Sequence, residues 1–143
     1  MKLILDPDPS LRDRCDNTEL PTLQEALDSL EIMRASGGIG ISSPQVGSNK
    51  RFFWMGNELI INPVIKSRGE SCARIVEGCL SLPGKQFSVV RSLRVFVSYQ
   101  NIISQYKERQ LDGMKAIVFQ HEHDHLEGIM IDDYNHNESR LPD

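Results

Sequence analysis

The sequence predicts an α+β fold: mostly antiparallel sheets around a central C-terminal helix, plus a helix near the N-terminus. Three observations carry this. Residues 23–35 repeat apolar side chains at helical spacing behind a capping sequence. Residues 51–106 hold short β-branched and aromatic runs, separated by Gly, Asn and Pro. A second helical pattern follows from Asp112 or Gly113 and contains His121-Glu122-x-x-His125. Strands gathered before a single C-terminal helix favour α+β over alternating βα units. A chain of 143 residues suits one domain, 1–143, large enough for a real core.

Leu3 to Asp6 is a short apolar start, punctuated by Pro7 and Pro9. Ser10 to Asn17 reads as a solvated polar arm. Thr22-Leu23-Gln24-Glu25 is a capping box with Thr22 as N-cap. Leu23, Ala26, Leu27, Leu30 and Met33 then form a stripe read as core, and Gly37-Gly38 stops the helix. The glycine-rich stretch 37–47 is not a nucleotide loop. No Gly-Lys-Ser/Thr closes it, and it lacks the strand-then-helix setting. It reads as a loop or short strand exposing backbone groups. Gln45 there either serves a site oxygen or satisfies the local loop.

Arg51 to Met55 is a buried strand. Gly56-Asn57 is a tight hairpin turn. Leu59 to Ile61 is the return strand, ended by Asn62-Pro63. Val64 and Ile65 resume a strand, and residues 66–70 form a polar turn. The stretch 77–84 is rich in turn signals. Val89-Val90 is a short strand. Leu93, Val95, Val97 and Tyr99 share one face of the next. Asn101 turns the chain, and residues 102–106 return. In the second helix Met114, Ile117 and Val118 lead into the histidine face. Gly128 ends it, and residues 132–143 are an expected frayed tail.

Formal net charge is −4, which argues against a primary nucleic-acid binder. No apolar run is long enough to span a membrane. The N-terminus lacks a signal peptide's apolar core, so a cytoplasmic location is expected. The three cysteines, Cys15, Cys72 and Cys79, do not suggest a disulfide framework.

His121 and His125, four apart, face one side of a helix. They can ligate one metal ion, with Glu122 beside them as acid/base. His123 points about 200° away from His121 and is read as non-ligating. A third ligand is needed, and a thiolate is a strong one. Cys79 lies in a glycine-framed turn. Cys15 sits in the polar arm, and Cys72 lacks such a turn.

Three patterns occur in fixed order: Gly38-Ile39-Gly40-Ile41-Ser42-Ser43-Pro44-Gln45, Glu77-Gly78-Cys79-Leu80-Ser81, and Gln120-His121-Glu122-His123-Asp124-His125-Leu126-Glu127-Gly128. Together they resemble the signature motifs of peptide deformylases, over nearly the whole chain. The resemblance implies the peptide deformylase fold and removal of the formyl group from the N-terminal methionine of nascent polypeptides, releasing formate. It implies Cys79, His121 and His125 as ligands of one divalent ion, natively Fe2+, with Zn2+, Ni2+ or Co2+ able to replace it. It implies Glu122 as the catalytic acid/base, and Gln45 and the Leu80 N–H as oxyanion donors. Gly40 and Gly84 would lie beside an extended substrate backbone. Ile39, Met114, Ile117 and Val118 would line the methionine pocket, and Arg91 would sit near the substrate rim. A monomer acting on N-formylmethionyl peptides is expected.

Two departures stand out. Ser42-Ser43 replaces the usual alanine pair, and buried hydroxyls need partners. The sequence also ends eighteen residues after His125, where typical bacterial members continue into a long helix. That resembles short forms carried by some bacteriophages, for which the host cytoplasm is the expected location, and it puts ribosome contact in doubt. Two rival readings are a zinc endopeptidase and a binding protein with a structural metal. The first would take a downstream third ligand. The second would need a fourth protein ligand, such as Cys72 or His136.

Overall fold

In a computed structural model the described residues are 1–136, with backbone alone at 135 and 136. Helix α1 spans Leu23–Ala35, β1 Gly40–Ser42, β2 Phe52–Met55, β3 Glu58–Arg68, β4 Cys72–Cys79, β5 Leu82–Ser92, β6 Arg94–Gln100 and β7 Tyr106–Asp112; α2 spans Met114–Leu126 and α3 Ile131–His136. An antiparallel five-stranded sheet has the order β1-β2-β3-β6-β7, and β4-β5 form a separate antiparallel pair. The α+β expectation holds, with α2 central.

Helix α2 is buried against the five-stranded sheet. Phe53, Met55, Ile60, Val95, Val97, Tyr99 and Leu111 pack on Ala116, Val118, Phe119 and Leu126. Phe53 meets Phe119 edge-on at 5.1 Å between centroids. A second cluster joins the β4-β5 pair to the N-terminal arm and α3 through Leu11, Leu82, Val89, Met130 and Ile131.

The capping box of α1 forms in both directions: the Thr22 side chain accepts from Glu25 N, and the Glu25 carboxylate accepts from Thr22 N. The buried face of α1 differs from the expected stripe. Ala26, Ser29 and Met33 turn inward, whereas Leu23 and Leu27 are exposed. The reason is Trp54, whose indole N–H donates to Ala26 O and Ser29 Oγ at 2.9 and 3.0 Å. Small residues let that ring approach.

Asn62-Pro63 does not end β3. Asn62 takes φ +50 within a register shift between Ile61 and Val64, and pairing with β6 resumes beyond. A bulge accommodates the missing proline donor without breaking the strand. Residues 102–105 form a turn rather than a strand, because the Asn101 carboxamide oxygen accepts from Ile103 N and Gln105 N. The returning strand is β7, a charged edge strand with Leu111 as its buried residue. β5 is longer than Val89-Val90 suggested, running from Leu82 to Ser92. The arm at 10–17 is not simply solvated: Leu11 and Cys15 are buried, and Cys15 N donates to Leu126 O at 2.8 Å. Of the expected frayed tail, 132–136 belong to α3, which starts at Ile131, and 137–143 lie outside the described residues.

Candidate metal centre

Gly113, at φ +61, turns the chain from β7 into α2. The helix is lined with apolar packing up to Phe119 and then presents His121 and His125, one turn apart, with ring centroids 5.1 Å apart. Cys79, at the end of β4, faces them, with Sγ 3.4 Å from His125 Nε2. The ligand atoms of Cys79, His121 and His125 lie within 4.8 Å of one another. Cys72 is exposed and Cys15 buried elsewhere, so neither competes. His123 stacks against Phe119 at 6.5 Å and stands outside the cluster. Among the described residues this cluster has three members; the His136 side chain lies outside them.

Behind the triad sits a buried ionic network. Glu77 Oε1 is 2.8 Å from His121 Nδ1, which fixes the ring and leaves its other nitrogen for the cluster. Arg91 grips Glu77 with two hydrogen bonds of 2.9 Å and reaches Asp124 at 2.6 Å. The Tyr134 hydroxyl of α3 also donates to Asp124, at 2.7 Å. Arg91 therefore does not reach the substrate rim. It is 1% exposed, held inward by two carboxylates. Sequence reasoning gave Glu77 no role. The signal was its position two residues before Cys79, on the same face of a strand.

Burial would raise the Glu77 carboxyl, but His121 and Arg91 outweigh it and hold it at about 2. Burial opposes charge on His121, yet Glu122, Cys79 and Glu77 push it up to about 10. Burial, reinforced by His121 and Arg91, drives His125 well below its ordinary value. Burial raises Glu122, with His121 and Ser42 opposing. One sulfur and two imidazole nitrogens form a donor set suited to a divalent transition metal.

Glu122 is buried between α2 and β1. Ser42 Oγ lies 2.8 Å from Glu122 O and 2.9 Å from Glu122 Oε1. A Cβ on Gly40 would overlap Glu122 Oε2. Ser43 Oγ donates to Lys50 O at 2.5 Å. Both hydroxyls of the departing pair are therefore partnered. Gln45 satisfies the local loop and turns its amide nitrogen toward the cysteine of the cluster. Its Oε1 accepts from Ser42 N at 2.9 Å, and its Nε2 faces Ser81 Oγ at 3.1 Å and Cys79 Sγ at 3.5 Å. The N-terminal segment braces both motifs: Ile4 N donates to Gln45 O, Asp6 N to Ser81 O, and Ser81 Oγ to Ile4 O.

Gln45, Glu77, Cys79, His121 and Glu122 line a cleft of about 1000 Å³. Ile39, Gly40, Gly84, Met114, Ile117 and Val118 line it too, together with Leu80. Leu5 and Val76 also face it and were not expected from sequence. No helix among the described residues is long and apolar enough to cross a membrane.

The polypeptide deformylase family profile matches residues 1–140. A peptide deformylase of Thermotoga neapolitana is 40% identical over 135 residues, covering 88% of this chain and 81% of its own. A solved probable peptide deformylase from synechococcus phage S-SSM7 is 38% identical, with a TM-score of 0.86, covering 94% of this chain and 99% of that one. The deformylase of the Vibrio parahaemolyticus bacteriophage VP16T, solved with actinonin, is 32% identical, with a TM-score of 0.86, covering 92% of this chain and 100% of its own. The phage chains are thus matched almost end to end. Sequence, fold and ligand triad agree, and this chain belongs to the polypeptide deformylase family, as a metal-dependent peptide deformylase.

Proposed function

We propose that this centre removes the formyl group from the N-terminal methionine of peptides and nascent chains in the cytoplasm, releasing formate. The observation that carries the reading is the Cys79-His121-His125 triad beside buried Glu122, on the wall of an open cleft. Cys79, His121 and His125 would hold one divalent ion, Fe2+ by family resemblance, with Zn2+, Ni2+ and Co2+ compatible with the same donors. Three protein ligands leave a coordination position open, as catalytic sites do and structural sites do not. When bound, the ion supplies Lewis acidity and lowers the pKa of water.

The chain's own residues do the rest. Glu122 takes a proton from the attacking water as its oxygen bonds to the formyl carbon. Negative charge then develops on the formyl oxygen. Gln45 Nε2 and the Leu80 N–H are the donors assigned to it, and fixed donors there lower the barrier. Glu122 returns the proton to the methionine nitrogen as the C–N bond breaks, giving formate and a free amine. Backbone at Gly40 and Gly84 would pair with the extended substrate. Ile39, Met114, Ile117 and Val118 would hold the methionine side chain, their apolar surface matching its thioether chain.

Formate release from formyl-Met-Ala-Ser, measured together with metal content, tests this. Glu122→Ala should keep its metal and lose turnover about 10²–10⁴-fold, whereas His121→Ala should lose both. An active Glu122→Ala protein would sink the mechanism. Cleavage of internal peptide bonds without formate release would favour an endopeptidase instead.

A further inference from the structure

We propose that Ser42 is a positioning residue for Glu122: its hydroxyl ties down Oε1 and leaves Oε2 as the oxygen that exchanges the proton. This rests on the acid/base reading of Glu122 above.

Alternate residues of a strand face one side, and two residues of β1 meet this carboxylate. Ser42 Oγ is 2.9 Å from Oε1 and 2.8 Å from the Glu122 carbonyl oxygen. Gly40, two residues earlier, leaves the space that Oε2 occupies; a Cβ there would overlap it. Gly40 also lines the cleft, as Glu122 does. The two carboxylate oxygens therefore have unlike surroundings. Oε1 rests on a hydroxyl that is 1% exposed. Oε2 lies over the bare backbone of Gly40, a residue that lines the cleft.

Chemistry separates them further. A hydroxyl has one proton to donate. Oε1 can accept it from Ser42 while Glu122 is a carboxylate, and it still can once a proton resides on Oε2. The same tether thus serves both halves of the cycle. The Glu122 carbonyl oxygen shares that one proton with Oε1 in a three-centre bond, which seats the hydroxyl on α2. A rotamer locked by such a bond holds the proton-transfer geometry that the step needs.

Ser42→Ala restores the residue usual in the family's first motif, so folding is expected. Steady-state kinetics on formyl-Met-Ala-Ser should show kcat about tenfold lower, as for loss of one hydrogen bond to a charged group. KM and bound metal should not change. Ser42→Thr, which keeps the hydroxyl, should recover most of kcat. Ser42→Cys, similar in size with a weaker donor, should not. A crystal structure of Ser42→Ala should show the Glu122 carboxylate in more than one orientation. Full kcat in Ser42→Ala, with only its melting temperature lowered, would reduce Ser42 to a satisfied buried hydroxyl and overturn the proposal. An unmoved single Glu122 rotamer in that crystal would overturn it too, even if threonine proves too large to fold. Neither result touches the general acid/base reading, which fails only if Glu122→Ala is active.

Discussion

Arg91 makes three hydrogen bonds to two carboxylates, Glu77 and Asp124, and all three residues are buried. Arg91→Met would strand both acids in a low-dielectric setting, which costs about 3–5 kcal/mol. Denaturant unfolding at neutral pH should show a loss of that order. Arg91→Lys should recover little, since an ammonium cannot reproduce the planar grip on Glu77. Where the variant stays folded, metal affinity should fall about 10–100-fold, because Glu77 no longer orients His121. An Arg91→Met protein with unchanged stability and metal content would refute the network's role. Gly40 makes a second, opposite test. Gly40→Ala drives a methyl into the Glu122 Oε2 position, so kcat should drop at least tenfold while metal stays bound. Sequence alone could name the candidate residues that the fold brings together, since Cys79, His121, Glu122 and His125 belong to short patterns. It could not place Arg91, because its partners lie 14 and 33 positions away and meet only after the β4-β5 pair folds onto α2.

Local signals wrote the elements that were legible. The α1 boundaries follow from a capping box whose donors and acceptors lie within four residues, and α2 from Gly113 at one end and Gly128 at the other. Elements whose ends depend on distant pairing were not legible. β5 begins with Leu82-Pro83-Gly84-Lys85, which reads as a turn; Leu82 pairs with Cys79 and Gln86 with Gly78, and residues 83–85 fall in the register shift between those pairs. β7 is polar or charged over most of its length, with Leu111 its one buried residue, because it sits at the sheet edge. Gly128 shows how one residue can serve two elements. It takes φ +76 to end α2, and a Cβ there would overlap the Arg12 carbonyl where the arm crosses. Gly128→Ala thus combines left-handed strain of about 1–2 kcal/mol with a backbone clash. Its stability loss should exceed about 2 kcal/mol, read as a drop in melting temperature of at least roughly 6 °C. A fall of a degree or less would mean that the arm yields easily and does not anchor on the helix end.

The molecule has two sheets, and the candidate metal ligands come from both sides of the gap between them. His121 and His125 stand on α2, which packs on the five-stranded sheet, while Cys79 ends β4 of the separate pair. An ion bound there would cross-link the two. Without it, the β4-β5 pair is held to α2 by the Arg91 network and to α3 and the arm by the Leu11-Leu82-Val89-Met130-Ile131 cluster. Metal binding should therefore stabilise the fold, and unevenly. At a free metal concentration about 1,000 times the dissociation constant, the linkage contributes about 4 kcal/mol, or roughly 10 °C in melting temperature. Chelation should remove it. Amide exchange should then quicken most in β4-β5, whose opening no longer breaks metal bonds, and least in β2 and β3 at the middle of the larger sheet. Cys79→Ser, with a poorer ligand, should behave like the chelated protein whether or not metal is added. Uniform loss of protection across both sheets would instead mean that the ion stabilises one cooperative unit, with the β4-β5 pair no more dependent on it than the rest.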